Sequence, residues 1–253
     1  MPQIAFWNTY RLGGGSGEGK KMIIEGVLAQ IFKNYPNVEF VALCEVTGDV
    51  QLGDAPVGKN LYAASNKSGQ LAYSAFDSDL NNLDLEQADI NDFYDVFGNP
   101  PYKKGGGKFS KVSKRPVAYA GHYGNRDVYI YHANATSKAS FLTAWVSESL
   151  RQETGGAFIL AGDLNCEPAE LGTALYHCTQ THGYAAAHFT TPNNGHTHNA
   201  KTGLAHTYDW AVAGTGGGLG VVTVAKVDFT AVIDEMGILP DPKSDHLPIV
   251  VGW

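Results

Sequence analysis

Chemistry-bearing residues stand where apolar runs of this chain stop. Asn8 closes Ile-Ala-Phe-Trp, Glu45 follows Val-Ala-Leu-Cys, and His132 ends Val-Tyr-Ile-Tyr. Asp163 and Asn165 follow Phe-Ile-Leu-Ala-Gly, Asp209 lies in Thr-Tyr-Asp-Trp-Ala-Val, and Asp245-His246 immediately precedes Leu-Pro-Ile-Val-Val. A charge at the edge of a buried strand costs desolvation unless it is paired or binds a cation. One such residue is commonplace. Six sites meeting at one rim make a cleft of carboxylates, amides and imidazoles, which suits metal-assisted hydrolysis. Each also has an ordinary reading: Asn8 as a turn residue, Glu45 as a solvated strand end, Asp209 as a structural carboxylate. In the same way Asp163-Leu164-Asn165 reads as an Asx-turn, His132 as a satisfied core histidine and Asp245-His246 as a loop.

Periodicity shows what must position them. Residues 3–8 read as a short strand whose last residue is Asn8. Residues 20–35 put Ile23, Ile24, Val27, Leu28, Ile31 and Phe32 on one helical face, and Pro36-Asn37 ends that helix. Residues 38–44 then read as a buried strand leading into Glu45. Further strands are expected near 61–64, 70–76, 115–121, 127–133, 157–162, 207–213, 220–229 and 247–252, and helices at 138–152 and 168–181. Strands outnumber helices, and the helices fall between pairs of strands rather than after each one. The expected fold class is therefore α/β: two packed mixed β-sheets flanked by helices, not one doubly wound sheet. No internal repeat or long linker appears, so residues 1–253 are expected to form one domain. The glycine-rich stretch 13–19 is followed by Lys20-Lys21-Met22 instead of the Lys-Ser/Thr of a phosphate-binding loop, and reads as a flexible connector.

Composition sets limits on function. A chain of 253 residues buries roughly 70–75% of its unfolded surface and needs no covalent staple. Hydrophobic residues at 43% and charged residues at 17% describe an ordinary globular protein, and 30 glycines anticipate many tight turns. The net charge of −7 argues against a passive nucleic-acid binder, which needs clustered Lys and Arg. It does not exclude a metalloenzyme, because a bound cation reverses the local sign. Cys44, Cys166 and Cys178 have no metal-type spacing and imply no disulfide framework, which favours a reducing compartment or a fold stable without crosslinks. The N-terminus lacks the basic and apolar regions of a signal peptide, and no apolar run is long enough to span a bilayer. The expectation is a cytoplasmic protein, or one exported without a cleavable signal, that is not membrane-bound. No obligate protein partner is visible, and a monomer is expected.

Two clusters stand out against the acidic background. Residues 96–126 hold no Asp or Glu but carry Lys103, Lys104, Lys108, Lys111, Lys114, Arg115 and Arg126, seven of the chain's 18 basic residues. Such a run is either a solvated loop or a surface facing a polyanion. Six of the nine histidines fall in 177–206. His196 and His198, two apart, could share one side of an extended segment and bind a transition metal; solvated or phosphate-facing histidines are the competing reading.

The ordered set Trp7-Asn8, Cys44-Glu45, Arg115-Pro116, His132, Gly162-Asp163-Leu164-Asn165, Tyr208-Asp209 and Ser244-Asp245-His246 resembles the endonuclease/exonuclease/phosphatase superfamily nearly end to end. His132 and Arg115-Pro116 make it look closest to the DNase I and cytolethal distending toxin catalytic subunit branch. The resemblance implies a DNase I-like four-layer α/β sandwich and a Mg²⁺-dependent phosphodiesterase acting on DNA, with Mn²⁺ or Ca²⁺ as substitute ions. It implies that Glu45 binds the metal, with Asn8 and Asp245 completing or orienting its shell. Asp163 and Asn165 position the attacking water and a phosphate oxygen. His246, held by Asp209, serves as general base or phosphate donor, and His132 contacts the phosphate from the other side. Arg115, with Asn134 as a weaker candidate, meets the phosphate, and Lys103, Lys104, Lys108 and Lys111 meet the polyanion.

One departure concerns His132. The branch places a glutamate as its partner, and the best match here is Gln70, whose neutral amide cannot stabilise an imidazolium as a carboxylate does. The alternatives are a phosphomonoesterase or lipid phosphodiesterase on the same scaffold, and a catalytically silent binding module.

Overall fold

The computed structural model describes residues 1–13, 18–47, 60–64, 72–77, 86–88, 117–135, 139–182, 188–190, 196–199, 205–216, 222–227 and 246–253. Arg115, Asp245, Gln70 and the four lysines Lys103, Lys104, Lys108 and Lys111 lie outside the described residues, as does most of the glycine-rich stretch.

The chain runs β1 (Gln3–Gly13), α1 (Glu18–Asn34), β2 (Val38–Thr47), β3 (Asn60–Ala64), β4 (Ala72–Asp77), β5 (Glu86–Ala88), β6 (Val117–Tyr123) and β7 (Arg126–His132). Then follow α2 (Ala139–Glu153), β8 (Phe158–Asp163), α3 (Pro168–His182), β9 (His188–Thr190), β10 (His198–Asn199), β11 (Ala205–His206), β12 (Asp209–Ala213), β13 (Thr223–Lys226) and β14 (Ile249–Gly252). Two six-stranded mixed sheets result, ordered β13-β14-β1-β2-β4-β3 and β5-β6-β7-β8-β12-β9, with β10 and β11 forming a separate small pair.

Side-chain alternation, the period of two that every strand obeys, sorts the residues into layers. Ile4, Phe6, Phe40, Ala42 and Cys44 of the first sheet pack against Val128, Ile130, Ile159, Ala161, Ala211 and Ala213 of the second. The intervening Ala5, Trp7, Val41 and Leu43 point the other way, onto Ile24, Val27, Leu28 and Ile31 of α1. On the far side, Tyr129, Tyr131, Phe158, Leu160, Trp210 and Val212 meet Trp145, Val146 and Leu150 of α2 and Leu171 and Leu175 of α3. This is the four-layer sandwich that the sequence pattern predicts: helix, sheet, sheet, helices.

The structure corrects the first strand. Asn8 does not end β1, which continues to Gly13 and pairs again with β2 at Leu12↔Val46 and Gly13↔Thr47. The register slips between Asn8 and Leu12 on β1, and between Leu43 and Val46 on the β2–β4 side. Asn8 and Glu45 therefore sit at an irregularity inside the sheet, where a bulge re-aims side chains.

Candidate active site

Continuing each strand's alternation by one step carries it from core to site. Val128 and Ile130 lead to His132, Ile159 and Ala161 lead to Asp163, and Ala213 and Ala211 lead back to Asp209. Register then aligns the three side by side, with His132 opposite Asp163 in the parallel β7–β8 pair and Asp209 opposite Asp163 in the antiparallel β12–β8 pair. All three are buried, Asp209 completely. Neighbouring strands lie about 4.8 Å apart, so register alone sets three ionisable groups within Coulombic reach.

Across the inter-sheet gap, Asn8 donates from Nδ2 to Asp163 Oδ2 at 2.9 Å. The same oxygen lies 3.4 Å from His132 Nε2 and 3.7 Å from His246 Nε2. Glu45 Oε1 approaches His132 Nε2 at 3.7 Å. His246 Nδ1 and Asp209 Oδ2 are 2.8 Å apart, the geometry of an N–H donated to a carboxylate. Asp209 Oδ1 is buried and makes no hydrogen bond among the described residues. Glu45 and Asn165 are the described non-glycine residues with positive φ, at 58° and 47°. This uncommon left-handed backbone concentrates at sites that hold a side chain in a fixed direction.

Local chemistry explains the Gly162-Asp163-Leu164-Asn165 turn. A Cβ at Gly162 would run into the carbonyl of Tyr131, so close approach of β7 to β8 admits only glycine. Asp163 Oδ1 accepts the backbone N–H of Asn165 at 3.0 Å, and Asn165 Nδ2 donates to the carbonyl of Ala133 at 2.8 Å. The Asx-turn foreseen as an ordinary reading is present, and it is also what aims the carboxylate.

Burial pushes the Asp163 carboxyl up to about 6, the charge of His246 pulls it back, and the charge of Asp209 raises it further. The donated hydrogen bonds of Asn8 and Asn165 also oppose the rise. Asp163, Asp209 and His246 each bring a possible ligand atom within 4.8 Å of the others.

Besides Asp209, which the sequence resemblance implied, His246 is held by parts that sequence reasoning missed. Thr197, 1% exposed, accepts the N–H groups of Tyr208 and Asp209 at its Oγ1, at 3.2 and 3.0 Å. Its carbonyl accepts Leu247 N at 2.8 Å, and Trp7 Nε1 donates to His246 O at 3.0 Å. The His196/His198 metal reading is not supported. His196 is exposed and uses its carbonyl to accept Lys226 Nζ, whereas the His198 ring packs on Tyr208 and His246. His132 has Glu45 and Asp163 beside it, while Gln70 is outside the described residues. Asn134 is half-buried just beyond β7, near the Asn165 anchor at Ala133.

No protein-family profile and no curated protein sequence matches the chain. Solved structures do. A humanised D. rerio TDP2 superposes with a TM-score of 0.60 at 16% identity, covering 99% of this chain and 97% of that one. The endonuclease domain of TRAS1, a telomere-specific non-LTR retrotransposon, gives 0.56 at 12% identity, covering 99% and 96%. The Bacteroides thetaiotaomicron mannosyl-6-phosphatase gives 0.58 at 14% identity, covering 100% and 99%. With two packed mixed sheets, outer helices and these end-to-end superpositions, the chain has the DNase I-like α/β fold that these structures share.

Proposed function

We propose that this chain is a divalent-metal-dependent phosphodiesterase and that its substrate is DNA. The observation that carries the reading is the convergence of an amide and two imidazoles on one oxygen of the buried Asp163 carboxylate. Burial disfavours that carboxylate as an anion, and a cation would restore it.

The residues fit a hard cation. Carboxylate oxygens of Glu45, Asp163 and Asp209 dominate the rim, and among the described residues one of them has no hydrogen bond and no thiolate joins them. Mg²⁺ prefers such oxygen ligands, with Mn²⁺ or Ca²⁺ as substitutes. Glu45, Asn8 and Asp245 would hold it, and when bound it supplies Lewis-acid polarisation of the phosphoryl group.

The protein's own groups would do the rest. Asp209 fixes the tautomer of His246, leaving Nε2 to take the proton of the attacking water. Asp163 and Asn165, locked by the Asx-turn, orient that water and a phosphate oxygen. His132, on the opposite flank of Asp163, gives a proton to the leaving oxygen. Arg115 neutralises charge on the phosphate, Asn134 makes a further contact to it, and the lysines of 103–111 hold the flanking strand. Displacement is then in-line, driven by positioning and charge stabilisation.

A second reading is a phosphomonoesterase, favoured by the superposition on the mannosyl-6-phosphatase, which scores beside the endonuclease domain. A plasmid-nicking assay with Mg²⁺ and with EDTA, run beside phosphate release from a hexose 6-phosphate, separates the two. Nicking that requires the metal is expected. Phosphate release with no nicking would replace the first reading by the second.

A further inference from the structure

Glu45 sits where β2 falls out of step with both of its neighbours. Against β1, the last registered pair before the slip is Asn8↔Cys44 and the next is Leu12↔Val46, so three residues of β1 face Glu45 alone. Against β4, Leu43 pairs with Ser74 and Val46 with Ala72, so Cys44 and Glu45 together face one residue. Glu45 thus has no registered partner on either side among the described residues. Its φ of 58° is a conformation that L side chains disfavour. Something other than the ladder must select it.

Thr9 is the first residue of β1 beyond the last registered pair. It is fully buried, and its Oγ1 donates to the Cys44 carbonyl at 2.9 Å. A hydroxyl that meets the carbonyl of an adjoining strand lies along the sheet, whereas side chains of a regular strand stand above and below it. The slip gives Thr9 that direction. Asn8, one residue earlier, reaches across the gap to Asp163 instead.

The carbonyl that Thr9 meets belongs to the peptide unit joining Cys44 to Glu45. That unit is planar, and the φ of Glu45 is the rotation between this plane and the rest of the residue. A hydrogen bond to the carbonyl holds the plane, and with it the direction in which the Glu45 side chain leaves the backbone. That direction is toward the rim, where Oε1 comes within 3.7 Å of His132 Nε2. A branched Cβ leaves threonine few rotamers, so the hydroxyl itself is held firmly.

We propose that Thr9 is a positioning residue for Glu45, its hydroxyl setting the left-handed turn that aims the carboxylate at a divalent cation. The proposal rests on the reading in which Glu45 holds that cation, and it concerns metal affinity rather than proton transfer. A buried carbonyl needs a donor in any case, so a loss of stability alone does not separate positioning from packing. Coupling to Glu45 does.

The test titrates Mn²⁺, standing in for Mg²⁺, into the full chain without substrate and follows water-proton relaxation, which reads weak binding. Thr9→Val keeps the shape and removes the hydroxyl. Its Mn²⁺ affinity is expected to fall by about 10–100-fold, the range for a group that orients a metal ligand. Thr9→Ser restores the affinity. In a Glu45→Gln background Thr9→Val causes little further loss, because the ligand it would aim is gone. If Thr9→Val does not fold, Thr9→Ala and Thr9→Ser carry the comparison. Wild-type affinity in the folded hydroxyl-free variant, equal loss in Thr9→Ser, or the same loss with and without the Glu45 carboxylate overturns the positioning role and leaves the metal reading intact. Equal Mn²⁺ binding by wild type and Glu45→Gln removes Glu45 from the cation and overturns both.

Discussion

His246 turns Nδ1 to Asp209 at 2.8 Å and Nε2 to Asp163 at 3.7 Å, so one imidazole lies between two buried carboxylates that do equivalent work on neither side. The first contact is a hydrogen bond and the second is too long for one. Removing the ring should therefore cost far more than loosening its anchor. His246→Ala is expected to lower kcat by about 10²–10⁴-fold, the range for a positioned acid–base group. Asp209→Asn should cost less in the same direction. Single-turnover rates on a supercoiled plasmid decide it; near-wild-type turnover by folded His246→Ala removes the residue from the mechanism.

The buried Asp163 makes metal-free stability depend on pH. Its carboxyl, ordinarily at 3.8, is raised to about 6 in the folded chain. The stability this shift contributes is present below the unfolded value and is lost as pH rises through about 6. A cation prefers the ionised form, so the rise in Tm on adding Mg²⁺ should be larger at about pH 8 than at about pH 5. Asp163→Asn should raise the metal-free Tm at the higher pH and shrink the Mg²⁺ effect. Scanning fluorimetry with and without Mg²⁺ measures both, and an equal Mg²⁺ effect at the two pH values would separate Asp163 from the cation.

Thr197 anchors both flanks of His246, accepting two N–H groups at its hydroxyl and one at its carbonyl. Thr197→Val would bury two backbone donors without an acceptor, a loss of about 1–3 kcal/mol. Thr197→Ser should restore both stability and kcat. Urea unfolding of the two variants, with rates measured on the folded fraction, distinguishes this from a packing effect, because Val preserves the shape and Ser does not.

The layers, and the meeting of several candidate residues at one strand edge, were legible in the sequence, because both follow from alternation. Ile4-Ala5-Phe6-Trp7 and Val128-Tyr129-Ile130-Tyr131 are apolar on both faces, as strands between two packed layers must be. The polar residue next in phase is then a candidate for the site. What alternation cannot show is backbone irregularity. The register slip beyond Asn8 and the positive φ of Glu45 leave no trace in residue type. The strands β10 and β11 are two residues each, too short for any period. The spacing of His196 and His198 suggested a metal site, but His198 pairs with His206 and packs on Tyr208 and His246, while His196 lies outside β10.

The lysines of the acid-free stretch are expected to act on a long substrate alone. Each phosphate neutralised on duplex DNA contributes about −0.9 to the slope of log affinity against log salt. Changing Lys103, Lys104, Lys108 and Lys111 together to alanine should weaken DNA binding and flatten that slope. Hydrolysis of a small phosphodiester should be nearly unchanged. Parallel slopes with equal affinity would leave the run as a solvated loop and strengthen the phosphomonoesterase reading.

His132, Asp163 and Asp209 share the inward phase of β7, β8 and β12 with the residues that fill the space between the sheets. Core and chemistry are thus two readings of a single frame. Inserting or deleting one residue within β8 would turn Asp163 away from its neighbours and, in the same stroke, expel Ile159 and Ala161 from between the sheets. Shifting the acids along these strands by one residue would therefore cost core packing as well as chemistry. Novelty is channelled into the segments joining the strands, where length can change without disturbing phase, and a change of substrate would be written there.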